Sequence, residues 1–116
     1  MHELPLAKSI YRSVMKKADE CGATAVVRVV IEAGELREYV ELILQKYWDY
    51  VSRGSLAEGA KIELITLPAT VRCGECGKVY GLNIDDLESS RCPDCGFDRG
   101  DLLTGRELRI KGMEII

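Results

Sequence analysis

The sequence predicts a mixed α/β (α+β) fold: a small three-stranded sheet packed by two helices, with a cysteine-rich insert ahead of the last strand. Three observations lead there. Residues 4–20 and 35–52 carry apolar groups at helical spacing. Residues 23–33, 60–70 and 107–115 are β-branched or alternate charged with apolar side chains. Two Cys-x2-Cys pairs lie between the second of these runs and the third.

Leu6, Ala7, Ile10, Tyr11, Val14, Met15 and Ala18 share one face of the first helix. Pro5 suits its first turn, where a missing N–H costs nothing, and Gly22 follows as a stop signal. Residues 23–33 are almost continuously apolar and read as a strand covered on both sides, ended by Gly34. The second helix, 35–52, is predicted to bury Leu36, Tyr39, Val40, Ile43, Tyr47, Tyr50 and Val51. Leu44 and Trp48 widen that stripe or mark a partner surface. Residues 60–70 form the next strand, with Ile62, Leu64 and Thr66 alternating against Lys61, Glu63 and Ile65. The closing strand alternates through Ile110 and is expected to face water on one side, at a sheet edge where a second chain could pair.

At 116 residues the chain is one compact domain, or one domain with a small satellite. The expected division is residues 1–70 plus 104–116 as an α/β domain and 71–103 as a separate cysteine ribbon. A net charge of −3 and a pI near 5.2 disfavour a nucleic-acid binder, which normally presents a basic face. No apolar run approaches the ~20 residues that span a bilayer, so no membrane association is expected. The opening Met-His-Glu-Leu-Pro has neither basic nor apolar leader character, and the expected compartment is the cytoplasm.

Five cysteines in a reducing compartment read as metal ligands before they read as disulfides. Cys73-Gly-Glu-Cys76-Gly and Cys92-Pro-Asp-Cys95-Gly are near-copies, spaced C-x2-C-x15-C-x2-C, within the structural zinc range. Two cysteines separated by two residues turn both thiolates inward in one tight turn. Gly74, Gly77 and Gly96 relieve that turn by tolerating positive φ. Four sulfurs then surround a tetrahedral ion and leave no open position, which points to a structural Zn(II). The Cys-Pro-x-Cys-Gly knuckle also resembles rubredoxin, where the same sulfurs hold redox iron. Arg72, Lys78 and Arg91 flank the knuckles and either offset thiolate charge or are simply solvated. Cys21, without a cysteine at ligand spacing, reads as a small, partly buried thiol.

The single histidine is His2. It sits beside the α-amine of Met1 and its own main-chain amide. An amine, an imidazole and a deprotonated amide in fused chelate rings suit a tetragonal ion, Ni(II) or Cu(II). An isolated histidine near a chain start is more often an incidental solvated residue. Glu3 reads as an outer carboxylate of such a site or, more commonly, as a partner of the helix dipole. No phosphate loop, no nucleophile–base pair and no open zinc site stands out, so no enzyme is expected. A zinc-ribbon module of transcription or translation machinery remains the main alternative on spacing alone, and an iron electron carrier is a third reading.

Several pieces line up with one family. They are Met1-His2-Glu3-Leu4, Gly34-Glu35-Leu36, Gly59-Ala60-Lys61-Ile62, the two cysteine knuckles, and Gly105-Arg106-Glu107-Leu108. Together they span the chain, which resembles the HypA family of nickel-insertion accessory proteins for nickel–iron hydrogenase maturation. The resemblance implies a metallochaperone carrying Ni(II) as transient cargo. His2 would supply the imidazole, with main-chain nitrogen from Met1 and Glu3. Cys73, Cys76, Cys92 and Cys95 would hold structural Zn(II). It implies a nucleotide-hydrolysing partner, HypB, and delivery to the hydrogenase large subunit, with urease a client in some organisms. Glu3 becomes a candidate for partner contact. The chain departs from members with extra histidines in the ribbon, because His2 is its only imidazole.

Overall fold

The computed structural model describes residues 3–87 and 90–116. In chain order the elements are α1 (Glu3–Glu20), β1 (Val26–Gly34), a 3-10 turn (Glu35–Arg37), α2 (Glu41–Val51), β2 (Lys61–Leu67), β3 (Thr70–Cys73), β4 (Val79–Gly81), β5 (Gly100–Thr104) and β6 (Leu108–Ile115). They form two three-stranded sheets, ordered β2-β1-β6 and β4-β3-β5. The fold is mixed α/β, as expected, but the second sheet has no counterpart in the hydropathy pattern.

Two compact units result. The first comprises the residues up to Glu32, Tyr39–Ile65 and Arg109–Ile116. Helix α1 buries the anticipated Leu6, Ala7, Ile10, Val14 and Ala18. It closes where Ala23 donates to the Ala18 carbonyl at 2.9 Å, with Gly22 at φ +66 supplying the left-handed step. Val26, Val29 and Ile31 of β1 and Ile62 of β2 complete the core with Leu44 and Trp48 of α2. Tyr11 and Trp48 meet edge to face at 6.0 Å, joining the two helices. Ala25 and Ile116 exchange main-chain hydrogen bonds, while Arg109 binds Glu32 seven residues away on each strand. That register makes β1 and β6 antiparallel.

Helix α2 differs from its sequence-based outline. It starts at Glu41, not at residue 35, because Glu38 takes a left-handed φ of 55 between the 3-10 turn and the helix. The later start also shifts the buried face. Leu44 and Trp48 are the fully buried pair, so they are not a partner surface, whereas Val40, Ile43 and Tyr50 are exposed. Tyr39, Tyr47 and Val51 pack partly against the core.

The second unit comprises Ala33–Glu38 and Thr66–Leu108. The run 60–70 does not make one strand: Pro68 and Ala69 separate β2 from β3, and β3 enters the other sheet. Proline has no N–H for a ladder, and the Ala69 N–H goes to Glu35 Oε1 at 2.6 Å. Around it, Gly34 donates to the Glu107 carbonyl at 2.8 Å and Leu36 to that of Gly105 at 3.0 Å. A Cβ on Gly34 would stand 1.9 Å from the Gly105 carbonyl carbon, so this approach admits only glycine. Strand β3 pairs antiparallel with β4 (Val71 opposite Tyr80) and with β5 (Val71 opposite Leu102).

Candidate metal centre

The two cysteine pairs have the same local structure. Cys73 ends β3 and Cys76 lies in the turn before β4; Cys92 and Cys95 occupy a matching turn before β5. In the first, Cys73 donates to the Lys78 carbonyl at 2.8 Å and Gly77 to the Cys73 carbonyl at 3.1 Å. In the second, Cys92 donates to the Phe97 carbonyl at 3.0 Å and Gly96 to that of Cys92 at 2.9 Å. Each turn closes on a glycine with positive φ, 78 at Gly77 and 75 at Gly96. Gly74 needs no such angle. It is small because a Cβ there would press on the Phe97 ring at 3.3 Å, and its N–H reaches the Arg99 carbonyl at 3.0 Å.

These turns aim all four sulfurs at one point. The four Sγ atoms lie within 4.8 Å of one another. Cys73 and Cys95 stand 3.5 Å apart, as do Cys76 and Cys92. A disulfide would need about 2.05 Å. Four sulfurs at about 2.3 Å from a tetrahedral zinc stand about 3.8 Å apart, so the donor set fits such an ion with little adjustment. Cys73 and Cys92 are buried, Cys76 and Cys95 exposed. The cluster holds one buried and one exposed thiol from each turn.

Main-chain N–H groups tune these thiols. For Cys73 the Cys76 N–H pulls the thiol down, burial opposes it, and the Glu75 N–H with the Cys95 and Cys76 thiols leaves it at about 7. Burial pushes Cys92 up, but the Cys95 and Asp94 N–H groups and two neighbouring thiols outweigh it, and the thiol is lowered. The exposed members behave oppositely. The Lys78 N–H pulls Cys76 down, yet Cys92, burial and Cys73 leave it raised. The Phe97 N–H acts likewise on Cys95, and Cys73, burial, Cys92 and Cys76 push it up to about 12. Four thiolates this close repel one another, and a dication removes that penalty. Two of the three flanking cations have carboxylate partners, Lys78 with Asp94 at 3.8 Å and Arg91 with Asp98 at 3.9 Å. Both pairs are exposed and contribute little.

Of the three residues expected at the nickel end, Met1 and His2 lie outside the described residues. Glu3 is the first residue of α1 and is buried, and its Oε2 accepts the Val40 N–H at 3.1 Å. None of the sequence-based roles for Glu3 foresaw Val40, because nothing in the sequence links positions 37 residues apart. Cys21 is exposed, not partly buried. It follows the last residue of α1 and borders a shallow apolar groove with Val14, Ile110, Met113 and Ile115. Among the described residues no second group of metal-ligating side chains stands beside the four cysteines, and no helix is long and apolar enough to cross a membrane.

A family model described as "Hydrogenase/urease nickel incorporation, metallochaperone, hypA" matches residues 1–115. The chain is 35% identical to hydrogenase maturation factor HypA of Rhodobacter capsulatus and 38% identical to that of Paracoccus denitrificans, in each case over 116 residues and 100% of both chains. Against the HypA of Methanothermobacter thermautotrophicus it is 33% identical, over 99% of this chain and 97% of the relative. Among solved structures, the solution structure of the Ni metallochaperone HypA from Helicobacter pylori matches with a TM-score of 0.66 and 21% identity, covering 100% of this chain and 98% of that one. A second solution structure, of HypA protein, matches with a TM-score of 0.71 and 20% identity, covering 100% and 97%. At those identities the structural likeness is one of fold.

Proposed function

The chain belongs to the HypA family, nickel metallochaperones of hydrogenase maturation, and from that premise we propose that it binds Ni(II) at its N-terminus and helps insert it into the nickel–iron hydrogenase large subunit. The observation that carries the reading is the placement of the only imidazole in the sequence directly ahead of Glu3. The His2 ring, with main-chain nitrogen from Met1 and Glu3, makes the nitrogen-rich, tetragonal donor set that Ni(II) favours. The ion is cargo, and the role is carriage and release without catalysis.

The four-cysteine cluster supports the same division of labour. Its thiolates fill all the positions of a tetrahedral ion and leave none for exchange. Cys73, Cys76, Cys92 and Cys95 would hold Zn(II), which supplies rigidity by tying the two turns together. In this reading residues 1–70 plus 104–116 serve nickel and residues 71–103 form the zinc ribbon. The partners are a HypB-type nucleotide-hydrolysing nickel chaperone and the hydrogenase large subunit, in the cytoplasm. Neither nucleic acid nor a membrane takes part.

Nickel titration of the protein with its native, untagged N-terminus tests this, beside His2→Ala and with zinc quantified in both. The parent is expected to bind one nickel per chain. Loss of even an outer partner of a metal ligand costs about 10- to 100-fold in affinity, so loss of the imidazole should cost at least about 100-fold while zinc stays. Imidazole must be neutral to bind, so nickel affinity should fall as the solution is made acid, below the ordinary imidazole range of about 6.5. A mutant that binds nickel like its parent, or full affinity at about pH 5, would sink the assignment.

A further inference from the structure

Glu3 opens α1, but its side chain serves the other helix. The residue is 7% exposed, and Oε2 accepts the N–H of Val40. Val40 is the N-cap of α2, and no side chain of that helix caps its start. The first N–H groups of a helix lack partners within it, and the helix dipole favours a carboxylate beside them. The nearest acid on α2, Glu41, is turned away to the Leu64 N–H at 2.8 Å. Leu44 in turn donates to the Val40 carbonyl at 2.9 Å, so Val40 is fixed from both its polar atoms. The hydrogen bond from Val40 ties the side chain of residue 3 to the start of α2.

We propose that the Glu3 carboxylate is a positioning residue for the nickel cargo: anchored on the Val40 N–H, it fixes the main-chain nitrogen of residue 3 for chelation and does not ligate the ion itself. This rests on the nickel reading above. Fused chelate rings through consecutive main-chain nitrogens require set backbone angles. Freezing a free residue carries an entropy cost, and a residue already held in place has met most of it. The anchor thus contributes to affinity through order and slows release, without changing which atoms surround the metal.

The test compares the parent with Glu3→Ala, Glu3→Asp and Glu3→Gln, each with an untagged N-terminus. Nickel release is followed on adding excess chelator, together with the visible ligand-field spectrum of the nickel form, zinc content, and amide exchange at Val40. Alanine removes the acceptor and aspartate shortens its reach. Both should lose protection at Val40 and release nickel about 10- to 100-fold faster, as expected when a partner behind a ligand is lost. Their nickel spectrum should keep the parental band. Glutamine retains an acceptor oxygen and should restore most of the protection and the slow release. Parental release rates in Glu3→Ala and Glu3→Asp would overturn the proposal. So would an altered spectrum in all three variants, which would make the carboxylate a ligand. If Glu3→Ala does not fold, the contrast between aspartate and glutamine decides. Failure of the nickel reading looks different: the parent itself would then bind no nickel through His2.

Discussion

At the scale of single residues, chemistry divides between side chains chosen for what they ligate and main-chain groups that tune them. Cys73 and Cys92 are buried and lowered, Cys76 and Cys95 exposed and raised, although each pair sits in an equivalent turn. The difference follows from position. The first cysteine of each turn has two main-chain N–H groups aimed at it, Glu75 and Cys76 in one case and Asp94 and Cys95 in the other. The second has one. This has a measurable consequence for metal loading. Near neutral pH the metal-free cluster keeps the protons of Cys76 and Cys95, whose thiols are raised, while those of Cys73 and Cys92 are lowered. Metal binds only thiolates, so loading must expel at least those two protons, and raising the pH must strengthen binding. Zinc affinity is expected to rise at least about 100-fold per pH unit around neutrality. Calorimetric titration in buffers of different ionisation enthalpy counts the protons directly. Release of fewer than about two per ion would contradict the ordering of the four thiols. The convergence of Cys73, Cys76, Cys92 and Cys95 was legible in the sequence, because their spacing is set by the turns that carry them. The Glu3–Val40 bond was not, since it joins two helix starts that share no local pattern.

At the scale of elements, periodicity identified α1, β1 and β6 because each obeys a single local rule along its length. It failed where tertiary contacts reset the phase. Glu35 binds the Ala69 N–H and Glu38 adopts a left-handed angle, so α2 cannot begin until Glu41. A left-handed residue other than glycine costs roughly 1 kcal/mol, and a pattern of apolar positions carries no sign of it. Pro68 was the visible warning that residues 60–70 would divide. Strands β4 and β5 are short and largely exposed, with no hydrophobic alternation strong enough to detect. Strand β6 makes the clearest element-scale prediction. Among the described residues its one neighbour in the sheet is β1, so β6 is an edge strand, and an edge strand is a template for pairing with another chain. Arg109 and Lys111 pair with Glu32 and Glu114 pairs with Arg28, both partners on β1, so these charges are engaged within the sheet. A weak homodimer by edge-strand pairing or exchange is the expected result. Sedimentation equilibrium should show the mass climbing towards two chains as concentration rises. A monomer mass throughout the micromolar to millimolar range would remove the idea.

At the scale of the whole molecule, the two units are stabilised by different means. The first has a continuous core in which Trp48, Leu44, Ile31, Ile62, Val14 and Val29 are fully buried. Side chains of that size contribute about 1.5–3 kcal/mol each on burial, enough to hold a small α/β unit without a metal. Among the described residues of the second unit, the buried apolar side chains are Ala33, Ala69, Val71, Cys73 and Cys92. Two of these are alanines and two are the cluster's own cysteines. A unit of this size with so little core needs a staple, and among the described residues the four-sulfur cluster is the place where an ion could supply one. Stripping zinc with a strong chelator under reducing conditions should therefore act on one unit and spare the other. Amide protection is expected to fall in β3, β4 and β5, and to persist in α1, in α2 and in β1 up to Glu32. Adding back one zinc per chain should restore it. Substituting a single ligand, Cys92→Ser, should give the same pattern without any chelator, because a three-sulfur site with a hydroxyl in place of a thiolate loses much of its hold on zinc. Protection that survives zinc removal in β3 would mean that its main-chain hydrogen bonds suffice alone. Loss of protection in both units together would mean that the α/β core depends on the metal as well, against the independence that its buried side chains predict.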